Sequence, residues 1–258
     1  MHVAGGMVLF ARVRRLCEHS YAMALTSEKR TTLLRDVRQL VLMAAVILTG
    51  RSVLADWYVV PTGSMKPTIL EGDRVFVWKS AYQVRVPFTA IHLFATGSPN
   101  RGDVIVLRNP DGGRVPFVKR VIGLPGDVVE LRNESLYIDG KAQPTEFHPE
   151  QKTDDGEEVF LGTEMLGARP HPIRVLPNRV VMYRTYGPIT VPEGEVLLMG
   201  DNRDESRDGR YFGTRPITDL LGRAVGVMWS WNPEILKGPR WSRLARPFAT
   251  GAEDASGN

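Results

Sequence analysis

The sequence lacks the features that mark several common classes of protein. It has one cysteine among 258 residues, so an internal disulfide is excluded. That residue, Cys17, lies before the most apolar stretch of the chain, so a thiol nucleophile in the domain that follows this stretch is excluded as well. Its five histidines show neither a His-Glu-x-x-His motif nor another metal-binding spacing, so we expect no metal and no cofactor. Lysine and arginine are scattered along the chain despite a net charge of +4, and we therefore expect no nucleic-acid partner.

A long apolar run is also missing. The most apolar stretch, Leu40–Gly50, has eleven residues, whereas a helix that spans a membrane needs about 20. Extending the stretch to residues 34–55 supplies the length, if the arginines near its two ends reach the membrane interfaces.

The basic residues ahead of this stretch predict its orientation, because positively charged segments stay in the cytoplasm. We expect a cytoplasmic segment at 1–33, a single transmembrane anchor at 34–55 in the cytoplasmic (inner) membrane, and an extracytoplasmic domain after it. Two alternatives are a buried core helix and a cleavable signal peptide that ends at Val53-Leu54-Ala55. The long basic region before the apolar stretch favours the uncleaved anchor.

Beyond Val59 the chain shows short apolar alternations separated by glycine, proline and aspartate, a pattern typical of β-strands. No strand–helix–strand repeat appears. We therefore predict a mainly β domain of antiparallel sheets at 56–247, with an inserted subdomain at 134–192 and a disordered tail at 248–258. Strands are predicted over 73–78, 103–107, 117–122, 127–131, 135–139, 194–199 and 223–229.

Four short stretches carry the functional signal. The first, "PTGSMKPT" at 61–68, is a turn that contains Ser64, and the others are "RGDVIVL" at 101–107, "VKRVIGLPGD" at 118–127 and "MGDNRDESRDGRYFG" at 199–213. In order and spacing they resemble the four signature boxes of type I bacterial signal peptidases, membrane-anchored serine proteases with a Ser/Lys dyad. The resemblance extends from the apolar stretch to about Trp231.

This resemblance implies that Ser64 is the nucleophile and Lys119 the general base. A lysine can take the serine proton only when its amine is neutral, and burial among apolar groups favours the neutral form. In an extended strand Phe117, Lys119 and Val121 share one face, which would supply such surroundings. Arg120 points to the opposite face and cannot be deprotonated, so we expect it to be structural at best.

The resemblance also assigns supporting residues. The Ser64 N–H and the Thr62 hydroxyl, at a position where the family usually has serine, would form the oxyanion hole, and Ser206 would orient the lysine amine. The charged segment after Met199 would fold against the site, with Asp208 and Arg210 paired. The remaining expected positions are Asp201, Asn202 and Arg203 as structural support, and Val60, Met65, Ile69, Phe117 and Val118 as apolar pockets for small substrate side chains.

The expected partners are exported preproteins, cut after an Ala-x-Ala sequence, and membrane lipid. One alternative is another Ser/Lys processing protease of the same clan. A second is an inactive β scaffold tethered to a membrane, although Ser64, Lys119 and Ser206 are all present.

Overall fold

The computed structural model describes residues 32–87, 89, 91–148, 151–152, 158–179, 183–234 and 237–248. The chain divides into two compact units, Met1–Gly50 and Arg51–Asn258. Almost all of the predicted cytoplasmic segment and all of the predicted tail except Phe248 lie outside the described residues.

Residues 32–53 form a helix, α1. Of the helices that the structure describes, none is both long enough and apolar enough to cross a membrane. The transmembrane helix predicted at 34–55 is therefore not confirmed.

The largest sheet has eight strands and is antiparallel throughout. Seven strands lie in the spatial order β1-β2-β17-β5-β6-β15-β16, and β18 pairs with β17. Their bounds are β1 Ala55–Val59, β2 Asp73–Trp78, β5 Val104–Leu107, β6 Phe117–Gly123, β15 Glu195–Met199, β16 Arg215–Pro216, β17 Leu220–Ser230 and β18 Arg246–Pro247.

Three smaller sheets complete the fold. The first is a hairpin of β3 (Gln83–Arg85) and β4 (His92–Ala95). The second has the order β14-β7-β8-β9, with β7 Val128–Arg132, β8 Ser135–Ile138, β9 Lys141–Ala142 and β14 Tyr186–Thr190. The third has the order β10-β12-β11 with β13 paired to β12, and comprises β10 Thr145–Phe147, β11 Gln151–Lys152, β12 Glu158–Leu166 and β13 Arg169–Val175.

Burial patterns follow the position of each strand. In β2, buried and exposed side chains alternate, because only one face of that strand packs on the core. In β5 every residue is buried, and in β6 every residue after Phe117 is buried, because both faces of these central strands are covered. A charged side chain on β6 is consequently taken out of water whichever way it points.

The sequence-based predictions of fold class are confirmed in the main domain. It is mainly β with antiparallel sheets, and each predicted strand corresponds to an observed one with ends shifted by at most a few residues. One boundary is wrong: Phe248, assigned to the tail, is buried in a core cluster with Val75 and Val227. Its ring packs there because β18 pairs with β17 and carries the next residue inward.

A single short α-helix, α2 (Gly209–Phe212), follows the charged segment that begins at Met199. Asp208 caps it by accepting a hydrogen bond from the Arg210 N–H at 3.2 Å. The helix and β15 thus fix both ends of that segment, residues 200–208, which we call the catalytic loop after the role that the family resemblance implies.

Candidate active site

Ser64 and Lys119 are in direct contact. Lys119 Nζ lies 2.7 Å from Ser64 Oγ and also donates to the Val118 carbonyl at 3.0 Å. The lysine side chain comes from the central strand β6, paired with Ile105 on β5. The structure therefore brings together the two residues assigned as base and nucleophile, 55 positions apart in sequence.

The lysine amine is almost completely out of water. Lys119 is 3% exposed, and burial lowers its pKa to about 8. The charges of Asp208 and Asp201 oppose this shift, whereas Arg210 adds to it. The Phe117 ring centroid lies 5.2 Å from Nζ, on the shared face that the strand pattern predicts. An amine with a pKa of about 8 is neutral in about one molecule in ten at pH 7 and in about half at pH 8.

The turn that carries Ser64 is fixed to the core by its apolar neighbours. Met65 and Ile69 have no exposed surface and pack in one cluster with Val118. The Ile69 N–H donates to the Met65 carbonyl at 2.9 Å, which closes the turn between them. Met65 and Ile69 were predicted to line substrate pockets. Both side chains anchor the turn between β1 and β2, and neither is among the residues that line the cleft beside Ser64, so their role in substrate pockets stays a prediction.

Asn202 of the catalytic loop holds the backbone on either side of the nucleophile. Its side-chain Nδ2 donates to the Gly63 carbonyl at 3.0 Å, and its backbone N–H donates to the Ser64 carbonyl at 3.2 Å. Asn202 is fully buried. These two hydrogen bonds, one from the side chain and one from the backbone of Asn202, restrict where the Ser64 backbone can lie.

Arg120 and Asp201 form a buried ion pair on the other face of β6. The guanidinium donates twice to the carboxylate, at 2.7 and 2.6 Å, and once to the Gly102 carbonyl at 2.8 Å. Although burial opposes ionisation, Arg120 keeps the pKa of Asp201 below its usual range. Thr68, in the Ser64 turn, also donates a hydrogen bond to Asp201. Arg120 thus joins the sheet, the catalytic loop and the nucleophile turn.

Asp208 and Arg210 pair as the resemblance implied. Arg210 donates to both carboxylate oxygens of Asp208 at 2.9 Å, and both residues are buried. Asp208 also accepts the Gly200 N–H at 2.9 Å. Burial opposes ionisation of Asp208, but Arg210 and these hydrogen bonds hold its pKa low. The loop is therefore cross-linked to itself at its two ends.

Ser206 is buried and makes no hydrogen bond to Lys119 within the part of the chain that the structure describes. Its Oγ has no hydrogen-bond partner among the described residues, while its hydroxyl is near enough to contribute to the low pKa of Asp208. Gly200 lies between Ser206 and the Ser64 turn and leaves no room for a side chain. A Cβ there would lie 2.2 Å from Ser206 Oγ and 2.4 Å from the Ser64 carbonyl oxygen. The lysine-orienting role of Ser206 stays a prediction.

The two expected oxyanion donors are unengaged. Within the described part of the chain, neither the Ser64 N–H nor the Thr62 hydroxyl makes a hydrogen bond. Thr62 is exposed at the mouth of the site, and Ser64 is partly exposed. Both groups, which lie on either side of Gly63 in the sequence, are therefore free to donate hydrogen bonds to the carbonyl oxygen of a bound peptide.

A cleft of about 210 Å³ opens beside the dyad. Three of the predicted pocket residues, Val60, Phe117 and Val118, line it together with Ser64 and Lys119. Its other lining residues are Tyr58, Val59, Pro61, Thr62, Val115, Pro116, Glu205 and Arg207. Among the described residues, no group of histidine, cysteine, aspartate and glutamate side chains is arranged to hold a metal ion.

Sequence reasoning missed two residues that contact the catalytic loop. Arg120 was set aside because it cannot act as a base, and its partner Asp201 lies 81 residues away. Glu164 on β12, which is fully buried and bonded to Arg203, was not considered at all. Its one signal is a carboxylate at an inward position of an alternating strand, where an apolar residue is expected.

Comparison with known proteins identifies the family of the chain. Residues 33–229 match the family described as signal peptidase, peptidase S26. The chain is 34% identical to a signal peptidase I from Pseudomonas aeruginosa over 92% of this chain and 90% of that protein, and 37% identical to a signal peptidase I from Pseudomonas fluorescens over 77% and 74%. A crystal structure of a signal peptidase I from Enterococcus faecalis V583 aligns with a TM-score of 0.31 and 26% identity, over 49% of this chain and 97% of that one. The sequence matches cover most of the chain, which therefore belongs to the signal peptidase family, peptidase S26, and is a protease.

Proposed function

We propose that this protein cleaves N-terminal signal peptides from exported preproteins with a Ser/Lys dyad, Ser64 acting as nucleophile and Lys119 as general base. The observation that carries the proposal is the 2.7 Å contact between Lys119 Nζ and Ser64 Oγ at a buried amine. A lysine in water would be protonated at neutral pH and could not accept the serine proton.

The reaction begins when neutral Lys119 takes the hydroxyl proton and Ser64 Oγ bonds to the scissile carbonyl carbon. The carbonyl oxygen becomes an oxyanion that accepts hydrogen bonds from the Ser64 N–H and the Thr62 hydroxyl. When the C–N bond breaks, the Lys119 ammonium gives its proton to the leaving amine. The products of this half-reaction are an ester on Ser64 and the free N-terminus of the mature protein.

Water completes the cycle. Lys119, neutral again, takes a proton from a water molecule that attacks the ester carbon, and the proton is returned to Ser64 Oγ as the C–O bond breaks. The signal peptide leaves with a new carboxyl terminus. One amine thus serves as base in both halves and as acid for both leaving groups.

The cleft supports a preference for small residues before the cut, of the Ala-x-Ala type. Val60 and Val118 are buried in the wall beside Ser64, and Phe117 closes the same region. Walls of this kind exclude larger side chains by steric contact. The main chain of an extended peptide can add hydrogen bonds along the neighbouring strand edge.

The proposed location is the outer face of the cytoplasmic membrane, with residues 34–55 as the tether. It is supported by the basic segment ahead of Leu40 and by the short distance in sequence from that stretch to Ser64. Confinement to the surface where signal peptides are held would raise the effective substrate concentration. Fractionation of cells with a carbonate wash tests the tether: recovery of the full chain in the soluble fraction would remove this part of the proposal.

The central experiment uses the full chain purified in detergent and a preprotein with an Ala-x-Ala site. Ser64→Ala and Lys119→Ala should abolish cleavage while the main domain of each variant still folds and melts cooperatively. Ser135→Ala and Lys141→Ala are matched controls, because both side chains are exposed on strands remote in sequence from the loop, and they should cleave normally. Full activity in either dyad variant would overturn the mechanism.

The same experiment separates the alternatives. An inactive scaffold would show no cleavage with the wild-type chain. Another processing protease of the clan would cleave its own target but leave the Ala-x-Ala preprotein intact, and mass spectrometry of the cut site distinguishes that outcome.

A further inference from the structure

Glu164 carries a negative charge in the interior of the molecule. It lies on β12 in the segment predicted as an insertion, it is 0% exposed, and its neighbours at the inward positions of that strand are Gly162 and Leu166. Although burial opposes ionisation, the charge of Arg203 lowers the pKa of Glu164 to about 2. The carboxylate is therefore ionised at every pH at which the protein works.

The partner of this carboxylate belongs to the catalytic loop. The two terminal nitrogens of Arg203 donate to the two oxygens of Glu164, one of them at 2.9 Å. Arg203 is 3% exposed. A two-point bond between a planar guanidinium and a carboxylate fixes orientation as well as distance.

Arg203 is adjacent to the residue that holds the nucleophile. Asn202 binds the Gly63 and Ser64 carbonyls, and the Arg203 carbonyl accepts a hydrogen bond from Arg210, the partner of Asp208. A displacement of Arg203 consequently moves the backbone that binds Ser64.

We infer that Glu164 is a positioning residue for the catalytic serine, which sets the place of the catalytic loop through Arg203. This inference rests on the proposed function, since it assigns a role in the same reaction. The inference gives the segment at 134–192 a role in catalysis, because Glu164 of that segment binds Arg203 of the catalytic loop.

A second contact shows that the hairpin β12–β13 and the loop are one assembly. The Arg174 N–H on β13 donates to the Asp201 carbonyl at 2.8 Å. His171, on the same strand, lies 3.3 Å from the Glu164 carboxylate, and burial lowers its pKa, so the ring is neutral there. Arg203 is thus the cation that balances Glu164.

Removing the carboxylate charge has a defined electrostatic consequence. Arg203 would remain buried with no carboxylate in contact, although the charges of Asp201 and Asp208 still act on it, and we expect the loop to shift to give the guanidinium water. The groups whose charges act on Lys119 are Asp208, Asp201 and Arg210. A shift that moves the two carboxylates away, together with an unbalanced Arg203, makes the ammonium form of Lys119 less favourable. The activity should therefore reach its half-maximum at a lower pH.

The test compares Glu164→Gln with wild type, in detergent, using the full chain and the Ala-x-Ala preprotein. We expect kcat on the high-pH plateau to fall about 10²-fold with KM changed less than about threefold, because the apolar cleft residues Val60, Phe117 and Val118 lie outside the loop. The pH midpoint of kcat/KM should move down. Glu158→Gln is the matched control, because it changes a partly buried carboxylate on the same strand whose hydrogen bond, among the described residues, is to Asn178, and it should behave as wild type.

The double variant Glu164→Gln with Arg203→Gln sharpens the result. If the two residues act as one pair, the double variant loses no more activity than the worse single variant. Where Glu164→Gln fails to fold, as judged by its melting curve, Arg203→Lys replaces it. That variant keeps the charge but loses the two-point bond, and should show a smaller fall in kcat.

The outcomes are distinguishable. Wild-type kinetics in Glu164→Gln overturn the inference, and so does a loss that matches the unfolded fraction with an unchanged pH midpoint. Additive losses in the double variant also overturn it. Failure of the proposed function is a different result, in which wild type does not cut the preprotein or Ser64→Ala still does.

Discussion

The two faces of β6 hold neighbouring cations in opposite ways. Lys119 points into apolar surroundings with Phe117 and Val121, and among the described residues its amine contacts a hydroxyl and a carbonyl but no carboxylate. Arg120 points the other way and binds Asp201 through two short hydrogen bonds. Both side chains are less than 5% exposed. The two buried cations thus differ in side-chain type and in partner, because only Arg120 has a carboxylate in contact.

Two neighbouring residues of β6 therefore suit different roles, proton transfer for Lys119 and structural support for Arg120. The Lys119 amine, with its pKa of about 8, can exchange a proton near neutral pH, whereas a guanidinium cannot serve as a base in a protein. Asp201 still raises the pKa of Lys119 from a distance, after the larger contribution of Asp208. A charge on one face of β6 thus affects the pKa of the lysine on the other face. Variants at Lys119 and at Arg120 measure the size of that effect.

The largest effect should come from placing an arginine on the lysine face. Lys119→Arg keeps a positive charge but cannot act as a base, so kcat/KM should fall by about 10⁴-fold or more. Peptide cleavage measured at pH 8 and at pH 10 checks this. Lys141→Arg, on an exposed position of β9, is the control. Activity restored at pH 10 would show that another group serves as base.

The next effect concerns stability on the arginine face. Arg120→Leu leaves Asp201 buried and unpaired, which should lower the free energy of unfolding by about 3–5 kcal/mol. Urea unfolding followed by tryptophan fluorescence measures the change. Arg132→Leu, which removes a pair formed at the surface with Glu130, should change stability little. Equal changes in the two variants would mean that the Arg120–Asp201 pair contributes no more than a surface pair.

A third prediction is that the catalytic lysine lowers stability. Its pKa in the folded state, about 8, is below the ordinary value of 10.5, so the unfolded chain binds the proton more tightly. Below pH 8 both states are protonated and the folded state carries the full cost of a buried ammonium. As pH rises from 8 to 10.5, only the unfolded state keeps the proton, and the wild-type chain becomes more stable.

Lys119→Met should therefore stabilise the protein at pH 7 by up to about 3 kcal/mol while it abolishes cleavage. The gain should shrink between pH 8 and 10.5, which melting curves across this range would reveal. A variant that is less stable than wild type at pH 7 would contradict the proposed cost of the buried amine.

The smallest effect is the pH dependence of the wild-type enzyme. Below the Lys119 pKa of about 8, kcat/KM should fall about tenfold per pH unit, and it should level off above that pH. A profile that is flat between pH 6 and 9 would show that the amine titrates elsewhere.

The sequence predicts much of this arrangement, and for physical reasons. Strand alternation predicts that Lys119 shares a face with Phe117 and Val121, because the period of two is local. The family resemblance supplies the contact between Ser64 and Lys119, since its motifs include both residues. The Asp208–Arg210 pair lies within three positions, so a short motif is enough to indicate it.

The rest depends on distant packing. Glu164 and Arg203 are 39 residues apart, and neither residue shows by itself that the other balances its charge. Met65 and Ile69 were predicted at substrate pockets because apolar residues beside a nucleophile suit both a pocket and a core. Only the path of the chain between β1 and β2 shows that both side chains are buried in the core.

Gly209 illustrates the same limit in the backbone. Because glycine has the most flexible backbone of any residue, the sequence alone predicts a looser chain beside Asp208. In the structure a Cβ there would lie 2.7 Å from both the Leu197 side chain and the Leu198 carbonyl. Glycine is needed for close approach to β15, and a neighbour twelve residues away in sequence sets that requirement.

Substitution of Gly200 should inactivate the enzyme although every reacting group is still present. Even the single methyl of alanine would meet the Ser206 hydroxyl and the Ser64 carbonyl closer than atoms can approach, so the backbone that carries the nucleophile has to move. A random mutagenesis screen for inactive alleles should consequently recover position 200 alongside positions 64 and 119, with the dyad chemically whole in the resulting protein.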